Sequence, residues 1–290
     1  MNKHFIIALI LVSPFTSCGN EKKQDEKKII TQVQNIEKDS LAPIQFDWTQ
    51  TVRLKKSTIA DLQKKEKSND KIIMNFLNSY EKLVEELDNK LIESKDYESL
   101  STLVYADNKL VKQCALDFEK QVEKNGFRVA QSEGTIYISQ NTDFIKSNIL
   151  PLVDSITIEF LNLYCYEFDN ICCEDAGIII STEELINRIN KWGELSKKVT
   201  ELEYKKTVEE EFNSNLCFLL VGSDYSPSFD YETQKFDKKS IDLMTKFIES
   251  HPKARASEEF KSFLELLKTE DYKQTKKIND YFMRKFNYCG

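Results

Sequence analysis

Residues 68–91 read SNDKIIMNFLNSYEKLVEELDNKL. The apolar side chains Ile72, Ile73, Phe76, Leu77, Tyr80, Leu83, Val84, Leu87 and Leu91 return every three or four positions. That period places them on one stripe of an α-helix, with Glu, Lys and Asn on the opposite face. A stripe this long needs a second apolar surface to cover it. The next stretch offers one: Leu100, Leu103, Val104, Val111, Cys114, Phe118 and Val122 line a helix that opens at Asp96 and stops at Asn125-Gly126. Glycine accepts the left-handed conformation that closes a helix. Two long stripes with a short break predict an antiparallel helical hairpin.

Downstream, residues 127–131 (FRVAQ) and 135–139 (TIYIS) flank Ser132-Glu133-Gly134. Two short β-prone runs around a three-residue turn ending in Gly predict a β-hairpin over 127–139. Two strands alone are marginal in water. This hairpin is therefore expected to pack on the helices or to pair near Phe46, where Ile44, Phe46 and Trp48 alternate with polar residues at the period of a strand.

Helical signals resume at Asp143. Pro151 suits the first turn of a new helix, with Val153, Ile156, Phe160, Leu163, Tyr164 and Phe168 as its stripe. Ser181 with Glu184, and Thr200 with Glu203, have capping-box spacing. They open helices carrying Leu185, Ile189 and Trp192, then Val208, Phe212, Leu216 and Leu219. A loop over 222–236 precedes three helical segments near 238–250, 255–268 and 271–286. The expected fold is mainly α, antiparallel helix pairs with a small β-hairpin near 127–139. It occupies a domain over 44–290, with 44–140 and 141–290 as its candidate sub-regions.

Composition agrees. Seven Gly and five Pro in 290 residues are few for a turn-rich β sandwich or a nucleotide-binding α/β fold. Hydrophobic residues at 40% allow a core, and the net charge of −7 with interleaved Lys and Glu offers no basic face for nucleic acid.

The amino terminus carries its own signal. Met1-Asn2-Lys3-His4 is a short basic start, and residues 5–15 (FIIALILVSPF) are an apolar run of eleven. A membrane-spanning helix needs about 20 residues, so the run has the length of a signal-peptide core. Phe15-Thr16-Ser17-Cys18 then places small residues before a cysteine. This pattern resembles the lipobox of bacterial lipoproteins of the Bacteroidota type, with Phe15 where the usual pattern has Leu. The resemblance implies a signal peptide over 1–17, cleavage before Cys18, a diacylglyceryl group on its sulfur and a fatty acyl chain such as palmitate on its amine. Two or more chains anchor a protein firmly. Gly19 rather than Asp after the cysteine implies the outer membrane, facing the periplasm or the surface. Residues 18–43 read as a polar tether, reaching about 25–30 Å as a flexible coil.

A second resemblance lies in the last hundred residues. Phe247-Ile248-Glu249-Ser250-His251-Pro252, then Ala256, Glu258-Glu259-Phe260 and Leu264, is similar to the helix–turn–helix joint of tetratricopeptide-like envelope lipoproteins. Trp192-Gly193-Glu194-Leu195-Ser196 leading to Glu203 and Phe212 is a looser copy about 55 residues earlier, where standard units repeat at 34. Such proteins stack helix pairs.

Chemistry is sparse. Of two histidines, His4 leaves with the signal peptide, and His251 before Pro252 reads as a helix-end residue meeting free carbonyls. No glycine-rich phosphate motif occurs. Of the seven cysteines, Cys114 and Cys217 read as small core residues. Cys165, Cys172, Cys173 and Cys289 have no zinc spacing, and their pairing is open. No catalytic residue, metal site or cofactor is assigned. The segment to watch is 222–237, where Asp224, Tyr225, Asp230 and Tyr231 alternate acids with aromatics. Such a loop stacks on a sugar ring, holds a cation or contacts a partner; otherwise Phe229 and Tyr231 simply pin it to the core.

Three functions follow as expectations. The first is a membrane-anchored, non-catalytic binding module for an envelope protein or peptide. The second is a carbohydrate- or metal-ion-binding lipoprotein using the 222–237 loop. The third is an envelope hydrolase using carboxylates.

Overall fold

The computed structural model describes residues 46–64, 68–94, 109–132, 135–200 and 202–286, with side chains of the 109–124 helix from 116 onward. The signal peptide, Cys18, the tether, Ile44, the helix start at Asp96 with Leu100, Leu103 and Val104, the side chains of Val111 and Cys114, and Cys289 lie outside them. The fold is mainly α. Nine α-helices are described: α1 Thr49–Lys64, α2 Asn69–Ile92, α3 Lys109–Lys124, α4 Ser155–Asp169, α5 Thr182–Ser196, α6 Lys205–Leu220, α7 Lys238–Ser250, α8 Arg255–Thr269 and α9 Lys276–Phe286. The strands make three two-stranded sheets: β1 Phe127–Ser132 with β2 Thr135–Gln140, β3 Cys173–Glu174 with β4 Gly177–Ile178, and β5 Gly222–Ser223 with β6 Ser226–Pro227. Among the described residues no helix is long and apolar enough to cross a membrane.

The described residues fall into two compact units, one drawn from residues 46–48 and 85–139, the other from 49–84 and 140–286. In the first, α3 ends as its sequence requires. Gly126 has φ +91°, and its N–H donates to the Glu123 carbonyl at 2.8 Å. Along β2, Ile136 and Ile138 are buried while Tyr137 faces out. The Ile138 N–H donates to Asp88 Oδ1 at 2.9 Å, so a helix side chain satisfies the strand. Phe46 and Trp48 do not form a strand. Phe46 meets Trp48 edge-on at 5.3 Å and lies 6.0 Å from Phe118, and Trp48 stacks on Phe127 at 5.8 Å. Aromatic plugs spaced by two residues imitate strand alternation, and three residues are too few to tell them apart.

In the second unit, α1 follows directly on this plug and was not apparent in the sequence. Its buried positions are Thr51, Thr58 and Leu62, so two of the three residues on its inner face are polar. Residues 143–152 run through a π turn (Ile145–Ile149) and a 3-10 turn (Leu150–Leu152). Pro151 therefore sits in the 3-10 turn, and α4 opens later, at Asp154, whose side chain accepts the Thr157 N–H. The Ser181 cap forms with the Glu184 N–H at 3.1 Å. Thr200 does not cap α6. Tyr204 occupies that position without a side-chain cap, and Asp70 Oδ2 takes the Glu203 N–H at 2.9 Å instead.

α5 and α6 pair antiparallel. Gly193 allows the Phe212 ring so close that a Cβ there would stand 3.0 Å from it. Arg255 of α8 clamps both helices, bonding Ser196 at 2.6 Å and both Glu209 carboxylate oxygens at 2.7 Å while lying 4.0 Å over the Phe212 ring. The α7–α8 joint places His251 at the helix end. Its N–H meets the Phe247 carbonyl at 2.8 Å, and its ring stacks on Phe247 at 4.5 Å. The last helix begins at Lys276 rather than near 271. Residues 271–275 are engaged elsewhere: Tyr272 gives its carbonyl to the Phe236 N–H at 2.9 Å.

Candidate functional site

The loop after α6 is a built structure. Gly222 has φ +87°, and a Cβ there would lie 2.4 Å from the Ser226 carbonyl oxygen, so only glycine makes this turn without strain. β5 and β6 then form a small hairpin with Asp224 and Tyr225 at its tip. Phe229 and Phe236 bridge across the following turn, and their buried rings meet edge-on at 5.1 Å. Asp230 closes the turn: its Oδ1 accepts both the N–H and the hydroxyl of Thr233 at 2.7 Å. The Thr233 backbone bond, then its hydroxyl bond, hold this carboxyl below the usual carboxylate range.

A second hairpin, β3–β4, lies against the first. Its turn residues Asp175 and Ala176 have φ +47° and +59°, the two-positive-φ turn that suits right-twisted strands. The Tyr225 N–H donates to the Ala176 carbonyl at 3.1 Å, and the Ile178 N–H donates to Ser226 Oγ at 3.0 Å. Two tips that would be weak alone brace each other.

Of the four loop residues singled out from sequence, Tyr225 is 78% exposed and Tyr231 71% exposed. The Tyr231 hydroxyl donates to the Asp224 carbonyl at 3.1 Å, tying the second tyrosine to the first hairpin. Phe229, not Tyr231, pins the loop, with Phe236 as its partner. Ile171 and Ile179 flank β3–β4 at 46% and 54% exposure. An open cleft of about 440 Å³ borders the loop, lined in part by Pro227, Asp230, Tyr231, Lys235 and Lys238. Backbone bonds hold the tyrosines' segments, their rings are in water, and acids stand beside them. The arrangement is suited to contact with a partner or a sugar ring. Among the described residues no three metal-ligating side chains come together.

A larger cleft, about 620 Å³, lies where α2 and α4 begin. The chain's own carboxylates occupy both helix starts. Asp154 accepts the Thr157 N–H at 2.8 Å and the Asn69 amide at 2.9 Å. Burial raises the Asp70 carboxyl, but the Glu203 N–H and further hydrogen bonds outweigh it and hold the group below its ordinary value.

Sequence reasoning missed a buried charge cluster joining α4 and α5. Arg188, 1% exposed, donates to Glu167 at 2.5 Å, to Glu184 at 3.1 Å and to the Asn170 carbonyl at 2.7 Å. Trp192 Nε1 donates to the other Glu167 oxygen at 2.9 Å. Burial raises the Glu167 carboxyl, with Trp192 and Arg188 opposing. Neither cleft reaches this carboxylate, and all its oxygens are engaged. The cluster holds helices together and offers no open acid–base pair. No family model matches the chain, and no curated protein or solved structure matches it.

Proposed function

We propose that this chain is a lipid-anchored protein of the bacterial envelope that binds a protein or peptide partner through the paired hairpin tips bearing Tyr225 and Tyr231. The observation that carries the reading is the exposure of both rings on a backbone held by hydrogen bonds. A backbone that is already held loses little freedom on binding, and buried tyrosine anchors commonly dominate interfaces. Ile171 and Ile179 widen the apolar surface, and Asp224, Glu232 and Glu174 supply an acidic rim. The anchoring half of the reading rests on residues 1–18: a basic start, an eleven-residue apolar run and a cysteine after small residues. Gly19 in place of Asp, read by the sorting rule of the lipoproteins that this amino terminus resembles, supports placement at the outer membrane, facing periplasm or surface.

A second reading draws on the same rings. A sugar stacked on Tyr225 or Tyr231 and hydrogen-bonded by Asp224 would use this surface equally well. Capture of envelope proteins by the lipidated chain, compared with a Tyr225→Ala/Tyr231→Ala variant, tests the first reading. A partner retained by wild type and lost by the variant supports it. Glycan-array binding that the same variant abolishes favours the sugar reading. Unchanged capture by the variant removes the tip from the account.

A further inference from the structure

Three exposed acids accompany the two exposed tyrosines. Asp224 precedes Tyr225, and Glu232 follows Tyr231. Glu174 comes from the other hairpin. It pairs with Gly177 across the β3–β4 ladder, and directly opposite residues share one face of a ladder. A Cβ on Gly177 would lie 3.8 Å from the Tyr225 Cβ, so that face is the one against Tyr225. The Tyr225 N–H, bonded to the Ala176 carbonyl at 3.1 Å, fixes the contact. Among the described residues none of Glu174, Asp224 and Glu232 joins an ion pair.

Elsewhere the chain completes the same combination of ring and carboxylate with a guanidinium, twice. Arg188 lies 5.0 Å over the Tyr166 ring and donates to Glu184 Oε1 at 3.1 Å, which also accepts the Tyr166 hydroxyl at 2.8 Å. Arg255 lies 4.0 Å over the Phe212 ring and donates to both Glu209 carboxylate oxygens at 2.7 Å. In each, the negative face of the ring and a carboxylate share one planar cation. A flat fork of N–H groups suits that double contact better than a point-like ammonium. At the tips the ring and the acids are in place and face water. Their guanidinium would come from a partner.

We propose that the tips bind a basic peptide whose arginine lies on the Tyr225 ring, with Asp224 and Glu174 accepting its N–H groups. The inference rests on the reading that the paired tips form the binding surface, and it names the chemistry of what they bind. Glu232 adds longer-range attraction for a basic segment. Lys235 and Lys238 line the cleft beside Tyr231. They repel a cation there and so direct it to Tyr225.

The test uses the full chain, with an array of random twelve-residue peptides as the probe. Peptides retained by wild type and lost by Tyr225→Ala/Tyr231→Ala should be enriched in arginine about 3-fold or more over the array. Glu174→Gln/Asp224→Asn/Glu232→Gln keeps the rings, removes the charge and should weaken those peptides about 10-fold or more. Citrulline in place of the peptide's arginine keeps the planar shape without the charge and should cost about the same factor. That comparison needs no variant to fold. Retained peptides without excess arginine, peptides unweakened by the neutral variant or by citrulline, or no retention at all would overturn the proposal and leave the tips as a surface for another partner. Retention that the tyrosine variant does not reduce would overturn both the proposal and the reading on which it rests.

Discussion

Replacing Arg188 with methionine probes what fastens the larger unit. The guanidinium bonds two carboxylates and one backbone carbonyl, lies 5.0 Å over the Tyr166 ring and is 1% exposed. Methionine refills most of the alkyl volume, so the cavity contribution is small. What remains is a buried Glu167 carboxylate without its cation and an Asn170 carbonyl without its donor. Removing one partner of a buried pair costs about 3–5 kcal/mol, a large part of a typical domain stability of about 5–15 kcal/mol. The double change Arg188→Met/Glu167→Gln removes the stranded charge yet leaves an acceptor for Trp192 Nε1. It should recover about 1–3 kcal/mol relative to Arg188→Met alone. Trp48 and Trp192 are the two tryptophans of the chain, so in a Trp48→Phe background the buried Trp192 reports urea unfolding by itself. A buried pair is weakly screened, so the loss should be similar in low and high salt. A midpoint shift equivalent to less than about 1 kcal/mol, or a double variant no more stable than the single, would refute the claim that this cluster fastens α4 to α5.

Further outcomes follow from the same structure. Gly222→Ala should cost about 1–3 kcal/mol, because φ is positive and the new methyl meets the Ser226 carbonyl; thermal denaturation checks it. Tyr225→Ala and Tyr231→Ala should each leave stability within about 0.5 kcal/mol, since both rings are exposed, while abolishing partner capture. Asp70 has a folded-state pKa below its ordinary 3.8. Its contribution is therefore complete above about 4 and is lost as pH falls through the depressed value. Asp70→Asn should flatten the decline in melting temperature between pH 5 and pH 2, and an unchanged slope would argue against the Glu203 cap.

What the sequence reveals and what it hides have physical causes. The stripe from Ile72 to Leu91, the Asn125-Gly126 stop and the Ser181 cap are local signals, and the structure carries them where the residues stand. Helix α1 escaped notice because threonines do the work of aliphatics on its inner face. The Phe46–Trp48 plug has the spacing of a strand, and only Phe118 and Phe127, far along the chain, reveal its role. Arg188 reads as one more solvated charge until Glu167, on the preceding helix, is seen to face it. In the candidate site, the mix of acids and aromatics over 222–237 is legible. Which ring goes inward is not: Phe229 and Tyr231 are two residues apart, and tertiary packing alone buries the first and exposes the second. The bracing hairpin from 173–178 is likewise a contact in space, absent from any local pattern.

The anchor is the premise on which an envelope binding role depends, and intact mass analysis of the amino-terminal peptide from the natively expressed protein tests it most directly. The account predicts a chain that starts at Cys18 with a thioether-linked diacylglyceryl group and an acylated amine. A chain that retains residues 1–17, or one that carries an unmodified thiol at position 18, would contradict it.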